Sequence, residues 1–441
     1  MHRALLLTGL WLLSVATQGA TTAPDLDAAL KLAAQQRSAV LVEFRAPWCY
    51  SCYYMAKHVH TGTEWTQLQQ RAVLLEFDAD SPQGAARMQQ WNVKALPAYL
   101  LLDAEGVEIG RVLGEQTRAD FYAAMDRLLQ SGAGLADLQT QARQGGAAGA
   151  EAALAALQAF QARADADGGL QWFETLPPRL RQIDYPQRPA LKAALARLQL
   201  MQSAAVPDGP GCTAAAEQVL DADLGCERPY ELRRYLACLD AAADQGESAS
   251  PTLLQAQRAQ METLVRERVL SADRGAVCAD TRSAVLGLAD LHQRLGQADA
   301  REAGLRRAVA HLRAQIGDDL GADRSAADNL RVFVEALEDH AAYDALMPHL
   351  IAQWPDDYVY PYRYGRHLLD RGEAEAALPY LEQASAQAYG ENRLRVAELQ
   401  VRALMALDRA ADARKVAAQA FKANGPWFPE RVAAVKAALK K

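Results

Sequence analysis

The 441-residue sequence predicts an α/β domain at its N-terminus, followed by an all-α region that occupies the rest of the chain. In the first 131 residues, short apolar runs alternate with stretches whose apolar residues recur at helical spacing, as in a sheet layered by helices. From residue 151 onwards no alternating strand pattern stands out, and alanine-rich helical stretches follow one another. A chain of this length suggests about two or three domains.

The charge of the chain argues against nucleic acid as a partner. The formal net charge is −7, and the sequence contains no long basic run or aromatic-rich basic patch. Proteins that bind nucleic acid usually expose such a patch, because it neutralises phosphates. We therefore expect no nucleic-acid partner.

The first 20 residues have the order of a secretory signal peptide. His2 and Arg3 precede an apolar run over 4–15, and small residues follow up to residue 20. The run is shorter than the roughly 20 apolar residues that cross a bilayer, and an uncleaved membrane anchor is the alternative interpretation. We expect an exported, periplasmic protein that is soluble once the signal is removed.

The elements of the α/β domain, residues 21–131, can be placed in order. Apolar runs bounded by turn residues predict the strands, and Asp-Ala-Glu-Gly at 103–106 predicts a hairpin. Thr117 and Asp120 have the spacing of a capping box at the last helix. The order before that helix is a helix over 26–35, a strand over 39–44, a turn over 45–48, a helix from 49 to about 60, helical residues over 64–70, a strand over 72–77, helical residues over 85–90, and strands over 98–102 and 107–113.

Two cysteines stand where the first strand leads through a turn into the second helix. Cys49 and Cys52 lie three positions apart, so they can close into a disulfide that reopens when a thiolate attacks it. The helix dipole and the free backbone N–H groups at a helix start lower the pKa of the first thiol. The pattern indicates a dithiol redox pair, and we expect no cofactor.

Three segments of this domain in combination resemble the thioredoxin fold. They are VLVEFRAPWCYSC, VLLEFDAD and WNVKALPAYLLLDAEG, in that order. In particular they resemble the C-terminal periplasmic domain of the DsbD-type transmembrane thiol:disulfide interchange proteins. The resemblance covers about residues 25–131 and implies an enzyme, a thiol–disulfide oxidoreductase.

The resemblance implies roles for the two cysteines and for residues beside them. Cys49 would be the nucleophile that attacks a disulfide, and Cys52 the resolving thiol that releases the product. Pro97, after Leu96, would be the cis-proline whose neighbouring backbone binds the substrate strand, with a trans proline at a strand start as the alternative. Trp48 would cover the dithiol, and a purely structural packing role is a comparable interpretation.

Glu43 stands six residues before Cys49, where thioredoxins place a buried acid behind the resolving cysteine. The resemblance implies that it takes the proton of Cys52 through a water molecule. Burial would raise its pKa toward neutrality, which suits a general base. The alternative is a glutamate on the solvent face of an edge strand, since strand alternation alone does not bury it.

The sequence departs from the DsbD-type pattern around the cysteines. Ala56 replaces a second carboxylate, and Tyr53 replaces the lysine that often follows the second cysteine. The dipeptide Tyr50-Ser51 supplies no histidine or cation to stabilise a Cys49 thiolate. Strong oxidants of this fold have a very low nucleophile pKa, so we expect reductase or isomerase chemistry over oxidase chemistry.

A metal site is an alternative use of the same segment. Besides the two cysteines, Met55, His58 and His60 could supply soft ligands for Cu(I). No second CxxC or CxxH follows to complete a zinc site. We favour a core position for Met55 and solvated positions for the histidines, so we expect no metal site.

The all-α region begins after a segment, 132–150, that we interpret as a linker or a weakly helical connector. Residues 151–283 hold the remaining four cysteines, and an even count in an exported chain favours structural disulfides. Free thiols or a second redox pair are the alternatives, and the sequence leaves all three connectivities open. These cysteines are Cys212, Cys226, Cys238 and Cys278.

Residues 284–441 show a repeat. A helix–turn–helix pattern over 368–384 recurs 36 residues later, over 404–420. A period near this length with small residues at helix contacts resembles tetratricopeptide-type solenoids, and a non-repeating bundle is the alternative. We expect this tail to recruit a protein partner or substrate.

The leading hypothesis is an exported enzyme that reduces or isomerises disulfides. Its partners would be disulfide-containing or reduced periplasmic proteins, with a membrane electron donor of the DsbD type to reduce it again. One competing hypothesis is a binding or assembly scaffold in which the thioredoxin-like domain serves as a docking module. A copper-handling chaperone is the other.

Overall fold

The computed structural model describes residues 22–205, 210–243, 251–271 and 278–440. The predicted signal peptide, residues 1–20, lies outside these residues. The first domain contains the strands β1 (Ala39–Arg45), β2 (Ala72–Asp78), β3 (Ala98–Leu102) and β4 (Glu108–Leu113). Its helices are α1 (Leu26–Gln36), α2 (Tyr50–Tyr54), α3 (Gly62–Arg71), α4 (Pro82–Gln90) and α5 (Arg118–Ser131). A π-helical turn over Met55–Val59 extends α2.

The four strands form one mixed sheet in the order β2-β1-β3-β4. β1 pairs parallel with β2 and antiparallel with β3, and β4 pairs antiparallel with β3. β1 is therefore a central strand, and its C-terminal end delivers the chain to the cysteines at the start of α2.

Helices cover both faces of the sheet. Val40, Val42 and Phe44 lie in the core cluster that includes α1. Leu41 and Tyr99 lie in the opposite cluster, which includes residues of α3 and α5 and the turn that follows α2. Strands that are apolar on both faces pack in this way, and the thioredoxin-like α/β fold predicted for this domain is confirmed.

The segment 132–150, predicted as a linker or a weakly helical connector, contains the helix α6 (Leu135–Ala142) and the start of α7 (Gly146–Ala162). The side chains of Ala142 and Ala150 are buried in a helical core, and the Tyr185 hydroxyl donates a 2.5 Å hydrogen bond to the Ala142 carbonyl oxygen. The glycine- and alanine-rich composition that resembles a linker also allows close helix packing, so composition alone could not separate the two.

The rest of the described chain is helical, as predicted. Cys212 pairs with Cys238 and Cys226 with Cys278, which answers the connectivity that the sequence left open. The helices are α6 (Leu135–Ala142), α7 (Gly146–Ala162), α8 (Ala166–Glu174), α9 (Pro189–Ala205), α10 (Pro210–Leu220), α11 (Arg228–Ala243), α12 (Pro251–Leu264), α13 (Thr281–Arg294), α14 (Ala298–Ile316), α15 (Arg324–Ala336), α16 (His340–Gln353), α17 (Val359–Asp370), α18 (Ala374–Gln387), α19 (Gly390–Ala406), α20 (Ala410–Asn424) and α21 (Pro429–Ala438).

From α13 to α20 each helix packs against the next. α13 also contacts α15, and α17 contacts α19, so alternate helices form a common layer. The first domain lies against this layer, with α2 packed on α15. Helix hairpins are present, while a tetratricopeptide-like repeat stays a prediction. Among the described residues, no helix combines the length and apolarity needed to span a membrane.

Candidate active site

The two predicted redox cysteines lie together at the start of α2. Cys49 is the N-cap residue, and its Sγ accepts a 3.1 Å hydrogen bond from the Cys52 backbone N–H. The two residues form a disulfide, with their Cα atoms 5.2 Å apart. Cys49 is 3% and Cys52 4% exposed, so both are covered in this closed arrangement.

The proline loop lies beside the cysteines. The Leu96–Pro97 peptide bond is cis, as the resemblance implied. Leu96 packs against the small cluster formed by Ala46 and the two cysteines. The Pro97 carbonyl oxygen accepts a 2.8 Å hydrogen bond from the Gly114 N–H, which fixes the loop to the chain after β4.

Trp48 is 40% exposed, and its indole is anchored by a carboxylate that sequence reasoning missed. The indole Nε1–H donates a 2.8 Å hydrogen bond to Asp80 Oδ2. Burial raises the pKa of Asp80 to about 6, and the bonds from Trp48 and Asn392 partly oppose that shift. Asp80 is the last residue of VLLEFDAD and lies just beyond β2, and this position was the sequence signal that could have indicated it.

Glu43 lies inside the domain. It is 5% exposed, because β1 is central rather than an edge strand, so the solvent-facing alternative is wrong. Burial raises its pKa to about 7; the Glu76 carboxylate adds to the rise and Arg45 opposes it. A proton acceptor with a pKa near the working pH suits general base catalysis.

His60 Nδ1 lies 4.0 Å from the Glu43 carboxylate, and its side chain is 8% exposed rather than solvated as predicted. Its ring stacks on Trp65, with the ring centroids 4.3 Å apart. Burial lowers the pKa of His60 to about 4, so its imidazole is neutral where Glu43 titrates. The apolar spacing of the helix could not reveal this pocket.

Glu115, after β4, is a further buried acid that sequence reasoning missed. Burial raises its pKa well above the usual range; Asp280 adds to the rise, and Ser51 between the cysteines opposes it. Its Oε2 atom has no hydrogen-bond partner among the described residues. Glu115, Ser51 and Leu96 line part of a cavity of about 440 Å³ between the first domain and the helical tail.

The helical tail covers the start of α2. Arg282 lies over the Tyr50 ring, with its Cζ atom 3.4 Å from the centroid, and Arg324 lies over the Tyr53 ring at 4.1 Å. His58 Nε2 lies 2.6 Å from Asp323 Oδ2. These partners stand more than 200 positions away along the sequence, so no local pattern could reveal them.

The candidate copper ligands are engaged in other contacts. Met55 is fully buried in the core, as favoured, and a 3.3 Å hydrogen bond joins its Sδ to the Gln116 N–H. His58 is engaged by the tail and His60 by Trp65. Within the described ranges, no group of three or more His, Cys, Asp or Glu side chains is arranged to hold a metal ion.

Comparisons with known proteins give the same fold for the first domain. Residues 20–104 match the family model described as Thioredoxin-like. The thiol:disulfide interchange protein DsbD of Cronobacter sakazakii is 36% identical over 97 residues, 21% of this chain and 17% of the relative. DsbD of Haemophilus ducreyi is 31% identical over 102 residues, 22% of this chain and 18% of the relative.

A thioredoxin is also similar to part of this chain. Thioredoxin H-type of Oryza sativa subsp. indica is 29% identical over 90 residues, 20% of this chain and 69% of that protein. The chain spans less than a fifth of the length of the two DsbD relatives, and these similarities leave the helical tail uncovered. The N-terminal domain is thus a thioredoxin-like domain, similar to part of DsbD, that carries a cysteine pair in CxxC spacing.

Proposed function

We propose that the chain is an exported thiol–disulfide oxidoreductase that reduces or isomerises disulfides in periplasmic proteins. The observation that carries the proposal is the Cys49–Cys52 pair at a helix start, beside the cis bond before Pro97. A helix start favours the thiolate form of the capping cysteine, and the proline loop offers backbone beside it.

The chemistry begins with the reduced pair. The Cys49 thiolate attacks one sulfur of a substrate disulfide, and the other substrate sulfur leaves as a thiolate that takes up a proton. Cys52, as a thiolate, then attacks the Cys49 sulfur of the mixed disulfide and releases the second substrate thiol. Two electrons pass to the substrate, and the Cys49–Cys52 disulfide remains.

Glu43 serves as the proton acceptor for Cys52 in this scheme. Its carboxyl is buried in the layer beneath α2, and its pKa of about 7 allows it to gain and lose a proton near neutral pH. The transfer runs through a water molecule.

Export and partners complete the proposal. The signal-like first 20 residues support an exported location, where a membrane dithiol carrier of the DsbD type would return two electrons to the pair. The substrates are proteins with accessible disulfides. Both cysteines are covered and α2 packs on α15 of the tail, so the proposal includes a local separation of these contacts that gives a substrate access to Cys49.

Insulin reduction tests the enzymatic proposal. We expect the purified chain to accelerate the reduction of insulin disulfides by dithiothreitol, and Cys49→Ser to fall to the uncatalysed rate because it lacks the nucleophile. Cys52→Ser should trap the mixed disulfide. The Cys212→Ser/Cys238→Ser variant, which lacks only a tail disulfide, is the matched control and should retain activity. Unchanged insulin reduction by Cys49→Ser would refute the proposal.

The scaffold function is a second candidate, and the burial of both cysteines together with the packing of α2 on α15 of the tail favours it. In this role the tail does the main work, the thioredoxin-like domain serves as a docking module, and Cys49 and Cys52 carry out no redox reaction. Complementation separates the two functions. The Cys49→Ser/Cys52→Ser variant should rescue a deletion strain fully if the protein is a scaffold, and fail to rescue it if the dithiol is required.

A further inference from the structure

Two arginines of the tail contact the two residues that flank Cys49. Arg363 on α17 donates a 3.3 Å hydrogen bond from Nη2 to the Trp48 carbonyl oxygen. Arg282 on α13 lies over the Tyr50 ring at 3.4 Å. The nucleophilic cysteine therefore sits between two guanidinium contacts that belong to a different domain.

A single carboxylate holds both arginines in place. Asp328 on α15 is 2% exposed, and its Oδ2 accepts a 2.6 Å hydrogen bond from Arg282 Nη2, while its Oδ1 accepts one from Arg363 Nη1. Asn329 Oδ1 accepts a second bond from Arg282, from Nε at 2.8 Å. The surrounding guanidinium groups hold the pKa of Asp328 well below its usual range, so its charge is fixed.

The cluster keeps positive charge despite this carboxylate. A third arginine, Arg331, also faces Asp328, at 3.1 Å, and is paired with Glu335 at 2.8 Å. Three guanidinium groups thus face one Asp328 and one Glu335. The side chains of Arg282 and Arg363 are only 13% and 16% exposed, so water and salt screen them weakly.

Carboxyl groups and two ion pairs also lie around α2. The Asp280 carboxylate accepts hydrogen bonds from the Tyr230 and Ser283 hydroxyls, and the Asp80 carboxylate accepts one from the Trp48 indole. Burial raises the pKa of Glu115, which disfavours its charged form. The two ion pairs are His58 with Asp323 and Arg324 with Asp357.

We propose that Arg282 and Arg363 are positioning residues of the redox site, whose positive charge stabilises the Cys49 thiolate of the reduced protein. The inference rests on the proposed function. The dipeptide between the cysteines has no cation, and the tail supplies the charge instead. A stabilised thiolate favours the reduced form, so the dithiol is a weaker reductant with the tail in place than its own CxxC sequence predicts.

The test uses the full chain and two readouts of the dithiol. The ultraviolet absorbance of the thiolate across pH gives the pKa of Cys49. Equilibration with glutathione, in which one protein disulfide and two glutathione thiols become one protein dithiol and one glutathione disulfide, gives the redox equilibrium. Peptide mass spectrometry follows Cys49–Cys52 separately from the tail disulfides. Arg282→Met and Arg363→Met should each raise the Cys49 pKa and move the equilibrium about tenfold toward the disulfide, or about 30 mV more negative.

Two controls isolate the charge. Arg282→Lys keeps a cation and should stay close to the wild type, whereas Arg294→Met removes an arginine of the same helix that pairs with Asp240, at 2.7 Å, and should change neither readout. Circular dichroism checks folding. If Arg282→Met fails to fold, Arg282→Gln is used in its place, because the glutamine amide can still donate a hydrogen bond to Asp328 while lacking the positive charge.

The outcomes separate this inference from the proposed function. A wild-type pair that exchanges with glutathione, together with Arg282 and Arg363 variants that match Arg294→Met in both readouts, overturns the inference alone. A wild-type pair that does not exchange at all overturns the proposed function and the inference with it.

Discussion

At Glu43, burial and a neighbouring carboxylate act on one carboxyl group in the same direction. Its pKa rises from 4.5 to about 7, while burial lowers the pKa of the adjacent His60 from 6.5 to about 4. Between about pH 4.5 and 6.5 the pair is therefore a neutral acid beside a neutral base in the folded domain. In the unfolded chain both groups are charged over the same range, so folding exchanges two solvated charges for two buried neutral groups.

The raised pKa of Glu43 makes its contribution to stability depend on pH. Folded Glu43 keeps its proton between pH 4.5 and 7, whereas unfolded Glu43 loses it, so its contribution is complete below 4.5 and is lost as pH rises through 7. We expect the wild type to lose about 3 kcal/mol across this window relative to Glu43→Gln. His60 is present in both proteins and cancels in the difference.

Hydrogen exchange of the β1 peptide, measured by mass spectrometry at matched pH, reports the local free energy of opening in this multidomain chain. The free energy of opening is compared between wild type and Glu43→Gln. If their difference stays constant from pH 4.5 to 7, the pKa of Glu43 is not raised by folding.

At the scale of elements, the features that depend on short-range sequence patterns, namely the strands, the helix start and the proline loop, were predicted from the sequence. All four strands lie where their apolar runs stand, and the CxxC motif and Pro97 mark the helix start and the proline loop correctly. The order of strands in the sheet is not a local property. The central position of β1, and with it the burial of Glu43, could not be predicted by alternation.

The tail was harder to predict. Its helices were predicted, but the packing of 132–150 and the pairing of the four cysteines depend on contacts between distant segments. The contacts of Asp328 with Arg282 and Arg363 likewise join three helices that are distant along the sequence.

The Cys226–Cys278 disulfide lies just before α13, the helix that presents Arg282 to Tyr50. We expect its removal in Cys226→Ser/Cys278→Ser to destabilise the tail by about 4 kcal/mol, from the entropy of the loop that it closes. The loosened start of α13 should also shift the glutathione equilibrium of Cys49–Cys52 toward the disulfide.

Loss of the other tail disulfide, in Cys212→Ser/Cys238→Ser, is the matched control. It closes a loop of 26 residues rather than 52, so its loop entropy is only about 0.6 kcal/mol smaller. Thermal unfolding measures the first effect and mass spectrometry of the trapped pair the second. Equal shifts of the equilibrium in both variants would mean that the anchoring of α13 plays no special part.

At the scale of the whole molecule, the tail contacts the first domain at two places near the cysteines, at α2 and at the end of β2. Arg282 and Arg324 hold the first turns of α2, and the start of α19 holds the end of β2. There the Tyr389 hydroxyl donates a 2.5 Å hydrogen bond to Asp78 Oδ2, and the Glu391 N–H donates a 3.4 Å bond to the Asp80 carbonyl oxygen. We expect the separation of these contacts to increase the access of a substrate to Cys49.

Gly390, the first residue of α19, lies very close to the backbone of Asp80 in the first domain. It has a φ of +55°, and a Cβ atom there would overlap the Asp80 carbonyl oxygen. Overpacking of this kind costs about 1–3 kcal/mol, and it acts only while the tail is docked. Gly390→Ala should therefore raise the open population about tenfold, since about 1.4 kcal/mol corresponds to a factor of ten. The rate at which a bulky maleimide labels Cys49 in the reduced protein measures that population.

Gly372→Ala is the matched control for this substitution. Gly372 also has a positive φ, +82°, but nothing lies within 4 Å of the position of its Cβ, so alanine there carries the backbone strain without the clash. We expect it to label at the wild-type rate, and Gly390→Ala to gain in insulin reduction as well as in labelling. If both variants label Cys49 at the wild-type rate, docking of α19 does not limit access, and the substrate path must lie on the side of Leu96 and the 440 Å³ cavity.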